Sequence, residues 1–339
     1  MAVVAAALLL AELVARWARP HALDDQPQAG LARLHRFSPV YGWELRPGAQ
    51  ARVDGQPTRV NGLGLRGREH PRARTPGRVR LLMLGDSVAF GYGVGEEETF
   101  AARLENEGFE VVNLAVPGFG TDQELLRLQR EGRRWRPDLV LLHFCVENDP
   151  VDNVSRRFFY DGLHPKPYFT LEGGALALHT EELRLSAPAR AGLWLRERSF
   201  LLQWLRPRPA APATDWRARK AAALGDGQAA RALTRALLAR AAEEAAAGGA
   251  AFRLVVHPSR ESFQQGSPWA RDALELPLPA GAPALDMAAA YKARGLRFRE
   301  LTLDSIGHLS PRGHAAAAAV LAEALRPSAP AAAAPAPPR

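Results

Sequence analysis

Four runs along the chain are almost continuously apolar, at 79–84, 109–116, 138–145 and 251–256. Short runs without polar alternation are expected of parallel strands covered on both faces. Between them the hydrophobic spacing turns helical, over 97–107, 121–135 and 216–247. The last segment is interrupted by Gly225-Asp226-Gly227, so two helices are expected there. A final helix is predicted over 310–326, with Ser310 placed to cap it and Pro311 to open it. This alternation predicts an α/β domain over 79–326 built on a parallel sheet.

The flanking segments carry a different pattern. Residues 20–78 hold many Pro, Gly and Arg with little periodicity, and read as an irregular N-terminal extension with short strands around 41–45 and 51–53. Residues 150–215 break the alternation with aromatics and prolines. They form an insertion after the third strand, where an open α/β sheet places substrate-contacting loops. The Ala/Pro tail at 327–339 is expected to be disordered. At the other end, residues 2–15 are apolar except for Glu12, and Arg16 and Arg19 follow. This run is short against the roughly 20 residues of a spanning helix, and no Ala-x-Ala site ends it. Residues 1–19 are read as an export signal or membrane anchor, with a helix packed on the domain as the alternative. The first reading places the α/β domain outside the cytoplasm.

Composition narrows the chemistry. At 47% hydrophobic and 24% charged, the 339 residues are those of an ordinary globular chain. The net charge is +8, yet the arginines are scattered with no compact run interleaved with aromatics, which argues against a nucleic-acid partner. Only three of the 44 Lys and Arg residues are lysine. Cys145 is the sole cysteine and sits in an apolar strand pattern, so it reads as a buried thiol and not a nucleophile. No His, Cys or carboxylate cluster has metal-ligand spacing. Gly91, Gly93 and Gly95 lack the Lys-Ser/Thr of a phosphate loop. No cofactor is expected.

Four short segments fall at the ends of predicted strands or just before the last helix. They are Gly85-Asp86-Ser87, the loop from Asn113 to Gly120 around Gly118, Glu147-Asn148-Asp149, and the stretch from Asp304 to Pro311 around His308. Acyl transfer needs a nucleophile, a base for its proton, and donors aimed at the developing oxyanion. Ser87 offers the first and His308 the second. The N–H groups of Ser87 and Gly118 and the side-chain amide of Asn148 offer the third. Asp86 reads as a brace for its loop, and His143 as core or second shell. His257 lies on the catalytic edge, and His314 reads as a helix-packing residue.

These residues, in this order, resemble the SGNH (GDSL-like) hydrolase family, and the resemblance runs over 79–325. It implies a three-layer α/β/α fold with a flavodoxin-like parallel sheet. It also implies a serine esterase acting on O-acyl or O-acetyl groups of carbohydrate or lipid. The stretches 60–66 and 149–153 look like bacterial members with an N-terminal membrane segment. Two positions depart from the family pattern. Val146 stands where a glycine is usual, and Asp304 lies four residues before His308 where three is usual. Either Asp304 still orients His308 through a longer loop, or a Ser-His dyad works with a backbone carbonyl. An O-acyltransferase would use the same residues, and a non-catalytic membrane-tethered binding module is the rival of another class.

Overall fold

The computed structural model describes residues 2–18, 33–158, 164–205, 214–278 and 284–326. The expected tail at 327–339 lies outside them, as do parts of the N-terminal extension and of the 150–215 insertion.

Five parallel strands form the central sheet: β5 (Arg80–Leu84), β6 (Glu110–Asn113), β7 (Leu139–Cys145), β10 (Ala251–His257) and β11 (Leu285–Asp286). Their spatial order is β11-β10-β7-β5-β6. In chain order these strands are first (β5), second (β6), third (β7), fourth (β10) and fifth (β11). The order is therefore the 2-1-3-4-5 arrangement of flavodoxin-like sheets. All residues of β5 and β6 are buried. Helices cover both faces and leave two cores. Phe100 and Leu321 belong to one, and Leu125, Leu237 and Leu238 to the other. The fold is a three-layer α/β/α sandwich. Its strand order reverses beside β5, so the loops after β5 and β7 flank the switch point where such sheets bind ligands.

The helices follow the hydrophobic pattern closely. Phe100–Asn106 is capped by Thr99, whose Oγ1 accepts from Ala102 N at 3.1 Å. Pro311–Leu325 is capped by Ser310, whose Oγ accepts from Gly313 N at 3.1 Å. The long polar-apolar stretch splits at Gly225-Asp226-Gly227 into Thr214–Leu224 and Gln228–Ala247.

The N-terminal region is more ordered than its pattern indicates. Hairpin β1 (His35–Ser38) and β2 (Gly42–Leu45) and hairpin β3 (Gln50–Val53) and β4 (Gln56–Arg59) pack against the sheet domain. Leu34, Trp43, Leu45, Val53 and Val60 are buried in the same core as Leu81 and Met83. The insertion likewise holds a hairpin, β8 (Tyr168–Glu172) with β9 (Ala175–His179).

Residues Ala2–Ala18 form one helix. Its Glu12 turns inward, accepting from Ser199 Oγ at 2.7 Å and from the N–H groups of Phe200 and Leu201 at 3.0 Å. Val3, Leu9, Leu10 and Trp17 face outward. Among the described residues no helix is long and apolar enough to cross a membrane. A half-buried, hydrogen-bonded carboxylate interrupts the apolar run, and the helix docks on the helix Phe200–Leu205.

Candidate active site

Ser87 follows β5 after Gly85 and Asp86, at the first position of a short helix, Ser87–Phe90. Asp86 caps that turn, with Oδ1 accepting from Val88 N at 2.8 Å. This is the bracing position expected for Asp86. The Ser87 hydroxyl lies 2.8 Å from His308 Nε2. On the far side of the ring, His308 Nδ1 lies 2.6 Å from Asp304 Oδ2. A proton on Nδ1, donated to Asp304, leaves Nε2 free to accept from Ser87.

The extra residue between Asp304 and His308 is taken up by a tight turn. Asp304 Oδ1 accepts from Ile306 N at 3.0 Å, Gly307 N at 2.9 Å and His308 N at 3.2 Å. Gly307 has φ +119, and a Cβ there would lie 2.9 Å from Pro258 O. Only glycine lets the chain turn this closely against the end of β10. Burial acts to raise the Asp304 carboxyl. The hydrogen bond and charge of His308, with the loop N–H groups, outweigh it and hold the acid below the ordinary carboxylate range.

Tyr92 was not singled out by the sequence pattern. Its ring stacks on His308 with centroids 4.2 Å apart and 24° between planes. Tyr92 N donates to Ser87 O at 3.0 Å, so one turn carries both Ser87 and the plate behind the imidazole. The only signal was proximity: Tyr92 lies five residues after Ser87, between two glycines.

Gly118 has φ +81, in the left-handed region that favours glycine. A Cβ there would lie 2.6 Å from the Phe158 ring. The loop is held from behind by Trp43, whose Nε1 donates to Pro117 O at 3.1 Å. Trp43 packs edge-on against Phe158 at 5.3 Å and Phe119 at 5.8 Å. A residue of the N-terminal extension thereby fixes a loop at the sheet edge. Among the described residues, neither Ser87 N–H nor Gly118 N–H donates to the protein.

Asn148 is buried, and its amide points partly inward. Nδ2 donates to Asp152 Oδ2 at 3.2 Å and, at the long limit, to Asp149 Oδ1 at 3.5 Å, while Oδ1 has no partner. No hydrogen bond joins Asn148 to Ser87 or His308 among the described residues. The structure therefore brings together Ser87, His308 and Asp304, and leaves Asn148 engaged with a buried carboxylate cluster.

That cluster comprises Asp86, Asp122, Glu124, Asp149 and Asp152, all buried. Lys166, itself buried, pairs with Asp122 at 2.5 Å and donates to Asp152 O at 2.7 Å. Asp149 Oδ2 accepts from Cys145 N at 2.8 Å. Neither oxygen of Glu124 has a partner. Burial pushes Asp152 up to about 8, against the pull of Lys166 and Asn148. Burial and neighbouring carboxylates push Glu124 and Asp149 well above the ordinary range. One lysine cannot balance this many charges, so the cluster holds protons at neutral pH.

His143, His257 and His314 pack apart from the Ser87–His308 contact. His143 Nδ1 and His257 Nε2 are 2.8 Å apart, and Phe100 stacks on His143 at 5.1 Å. Burial lowers His257 to about 4. His314 Nδ1 accepts from Phe100 N at 3.1 Å, a packing role. Cys145 is a buried free thiol.

No family model and no curated protein matches the chain. Among solved structures, the chain is similar to a mutant acetyl-xylooligosaccharide esterase from Geobacillus, at 14% identity and TM-score 0.40. That overlap covers 73% of this chain and 93% of the other. An α/β hydrolase from the metagenome of Lake Arreo shares 13% identity at TM-score 0.38, over 73% and 94%. A GDSL-like lipase from Bacteroides thetaiotaomicron shares 14% at TM-score 0.33, over 72% and 86%. Likeness at this level decides neither family nor activity. The chemistry rests on the residues above.

Proposed function

We propose that the protein is a serine ester hydrolase of the SGNH (GDSL-like) type. The carrying observation is the continuous relay from Ser87 Oγ through His308 to Asp304, at 2.8 and 2.6 Å. Ser87 attacks the ester carbonyl while His308 Nε2 accepts its proton. Asp304 keeps the proton on Nδ1 and stabilises the imidazolium, and the Tyr92 ring face adds cation–π stabilisation. The unengaged N–H groups of Ser87 and Gly118 suit the oxyanion, and the Asn148 amide becomes the third donor by exchanging its long contact to Asp149 Oδ1, at 3.5 Å, for the oxyanion. His308 then protonates the leaving alcohol and activates water to release the acyl group. Phe158 over Gly118 narrows that side of the site, which favours a short acyl group such as acetyl. The reaction uses no metal or organic cofactor on this reading.

The test is hydrolysis of p-nitrophenyl acetate by the wild-type protein and by Ser87→Ala. Turnover that vanishes in the variant supports the reading. Turnover equal in both contradicts it.

The outward face of helix Ala2–Ala18 supports a second, separable reading, attachment to a membrane surface with the helix lying in the interface. Flotation with anionic vesicles that is lost on deleting residues 1–18 supports attachment. Equal flotation of both forms contradicts a role for this helix.

A further inference from the structure

A polar cleft of about 620 Å³ opens between the helices Thr214–Leu224 and Arg260–Gln265. Its walls carry Glu147, Lys220, Arg260, Glu261, Gln264 and Ser305. Among the described residues that line it, Ala221 and Leu224 are the apolar ones.

The cleft is joined to the site at two points. Glu147 immediately precedes Asn148, and Lys220 Nζ pairs with Glu147 Oε1 at 3.0 Å and donates to Glu147 O. Ser305 immediately follows Asp304, and its carbonyl accepts from Arg260 N at 3.4 Å. The loop that lines the cleft thus also carries His308, the residue that returns a proton to the leaving oxygen. Gly118, in the loop after β6, and Phe158, beyond the helix Asp149–Val154, lie on other segments, which leaves this cleft to the alcohol half of an ester.

Its chemistry selects among alcohols. Two cations and two carboxylates balance, so a charged group gains no net partner. A fatty alcohol would meet little beyond Ala221 and Leu224 and would desolvate charged side chains. A polyhydroxylated alcohol finds donors in Arg260 and Gln264, acceptors in Glu261 and Gln264, and both in Ser305. We propose that this cleft binds the leaving-group half of the substrate, and that this half is hydroxyl-rich, as a sugar is. In the acylation step the Ser87 Oγ–acyl bond forms and the acyl–oxygen bond to the sugar breaks. The sugar oxygen leaves with the proton from His308. This proposal rests on the serine-hydrolase reading.

The test compares 6-O-acetylglucose with cyclohexylmethyl acetate, an ester of similar size without hydroxyls, and uses p-nitrophenyl acetate as reference. The expected ratio of kcat/KM for the sugar ester over the cyclohexyl ester is about tenfold or more. Arg260→Ala and, separately, Gln264→Leu should each lower that ratio at least about fivefold through KM. Both side chains are exposed, and the ratio cancels any general loss of active protein. A wild-type ratio near one, or a ratio unmoved in both variants, overturns the proposal while p-nitrophenyl acetate is still turned over. Failure to turn over any of the three esters contradicts the hydrolase reading and the cleft assignment with it.

Discussion

Around Ser87 the site divides into two halves finished to different degrees. On the His308 side the contacts are saturated: Ser87 Oγ, both ring nitrogens and both Asp304 oxygens have partners, and Tyr92 backs the ring. On the Gly118–Asn148 side they are not. Among the described residues, two N–H groups point at no protein acceptor and Asn148 Oδ1 is unpartnered, while its Nδ2 leans on carboxylates that hold protons. A proton relay must be aligned before substrate arrives, so its geometry is complete in the free protein. An oxyanion hole must keep donors free for a charge that exists only in the transition state. The contrast follows from what each half does in the proposed reaction.

Substitutions sharpen that contrast. His308→Ala removes the base and is expected to lower kcat by about 10⁴ or more, measured with p-nitrophenyl acetate. Asp304→Asn keeps the turn but not the orienting charge. It should cost about 10²–10⁴ in kcat with KM little changed. If Asp304→Asn leaves kcat intact, the relay half is a dyad. On the other side, Asn148→Ala should cost about 10²–10³ in kcat, a loss typical of one oxyanion donor. An unchanged kcat would mean that Asn148 serves only the carboxylate cluster.

A pH experiment separates the clusters from the relay. Asp152 is raised to about 8 in the folded protein and is near 4 when unfolded. The folded state therefore binds more protons between those values, so this group's contribution to stability falls as pH rises and levels off above about 8. Asp152→Asn should flatten the decline in Tm between pH 5 and 8. Parallel Tm curves would contradict a protonated Asp152. His257, lowered to about 4 by burial, acts in the opposite sense. Its contribution is present above about 6.5 and is lost as pH falls toward 4. The smallest expected effect is Trp43→Phe, which removes the hydrogen bond to Pro117 O but keeps the aromatic packing. A few-fold loss in kcat at constant KM is expected if Trp43 positions the Gly118 loop.

The sequence carried much of this architecture because the strands are continuously apolar, which only a sheet covered on both faces requires. The short edge strand Leu285–Asp286 escaped because two residues give no pattern. In the N-terminal extension one strand of each hairpin was legible, around 41–45 and 51–53, but not its partner, and the hairpin at 168–179 was not legible. Asp54-Gly55 and Gly173-Gly174 adopt positive φ at two of the hairpin tips, but the stretches around them show no alternating pattern. The four residue types of the site were visible at strand ends. The one-residue offset of Asp304 could not be judged, because its resolution depends on three N–H groups gathered by one carboxylate oxygen. Trp43 and Tyr92 were invisible as partners because their importance lies in contacts across the fold. The carboxylate cluster was scattered over Asp86, Asp122, Glu124, Asp149 and Asp152, and no linear spacing marks a group assembled from one strand-end segment and two helices.

The central claim is that Ser87 is a nucleophile activated by His308. A fluorophosphonate probe, followed by peptide mass spectrometry, tests this most directly. The account predicts one covalent adduct, on Ser87, absent in Ser87→Ala and strongly reduced in His308→Ala. An unlabelled wild-type protein, or an adduct on another residue, would contradict it.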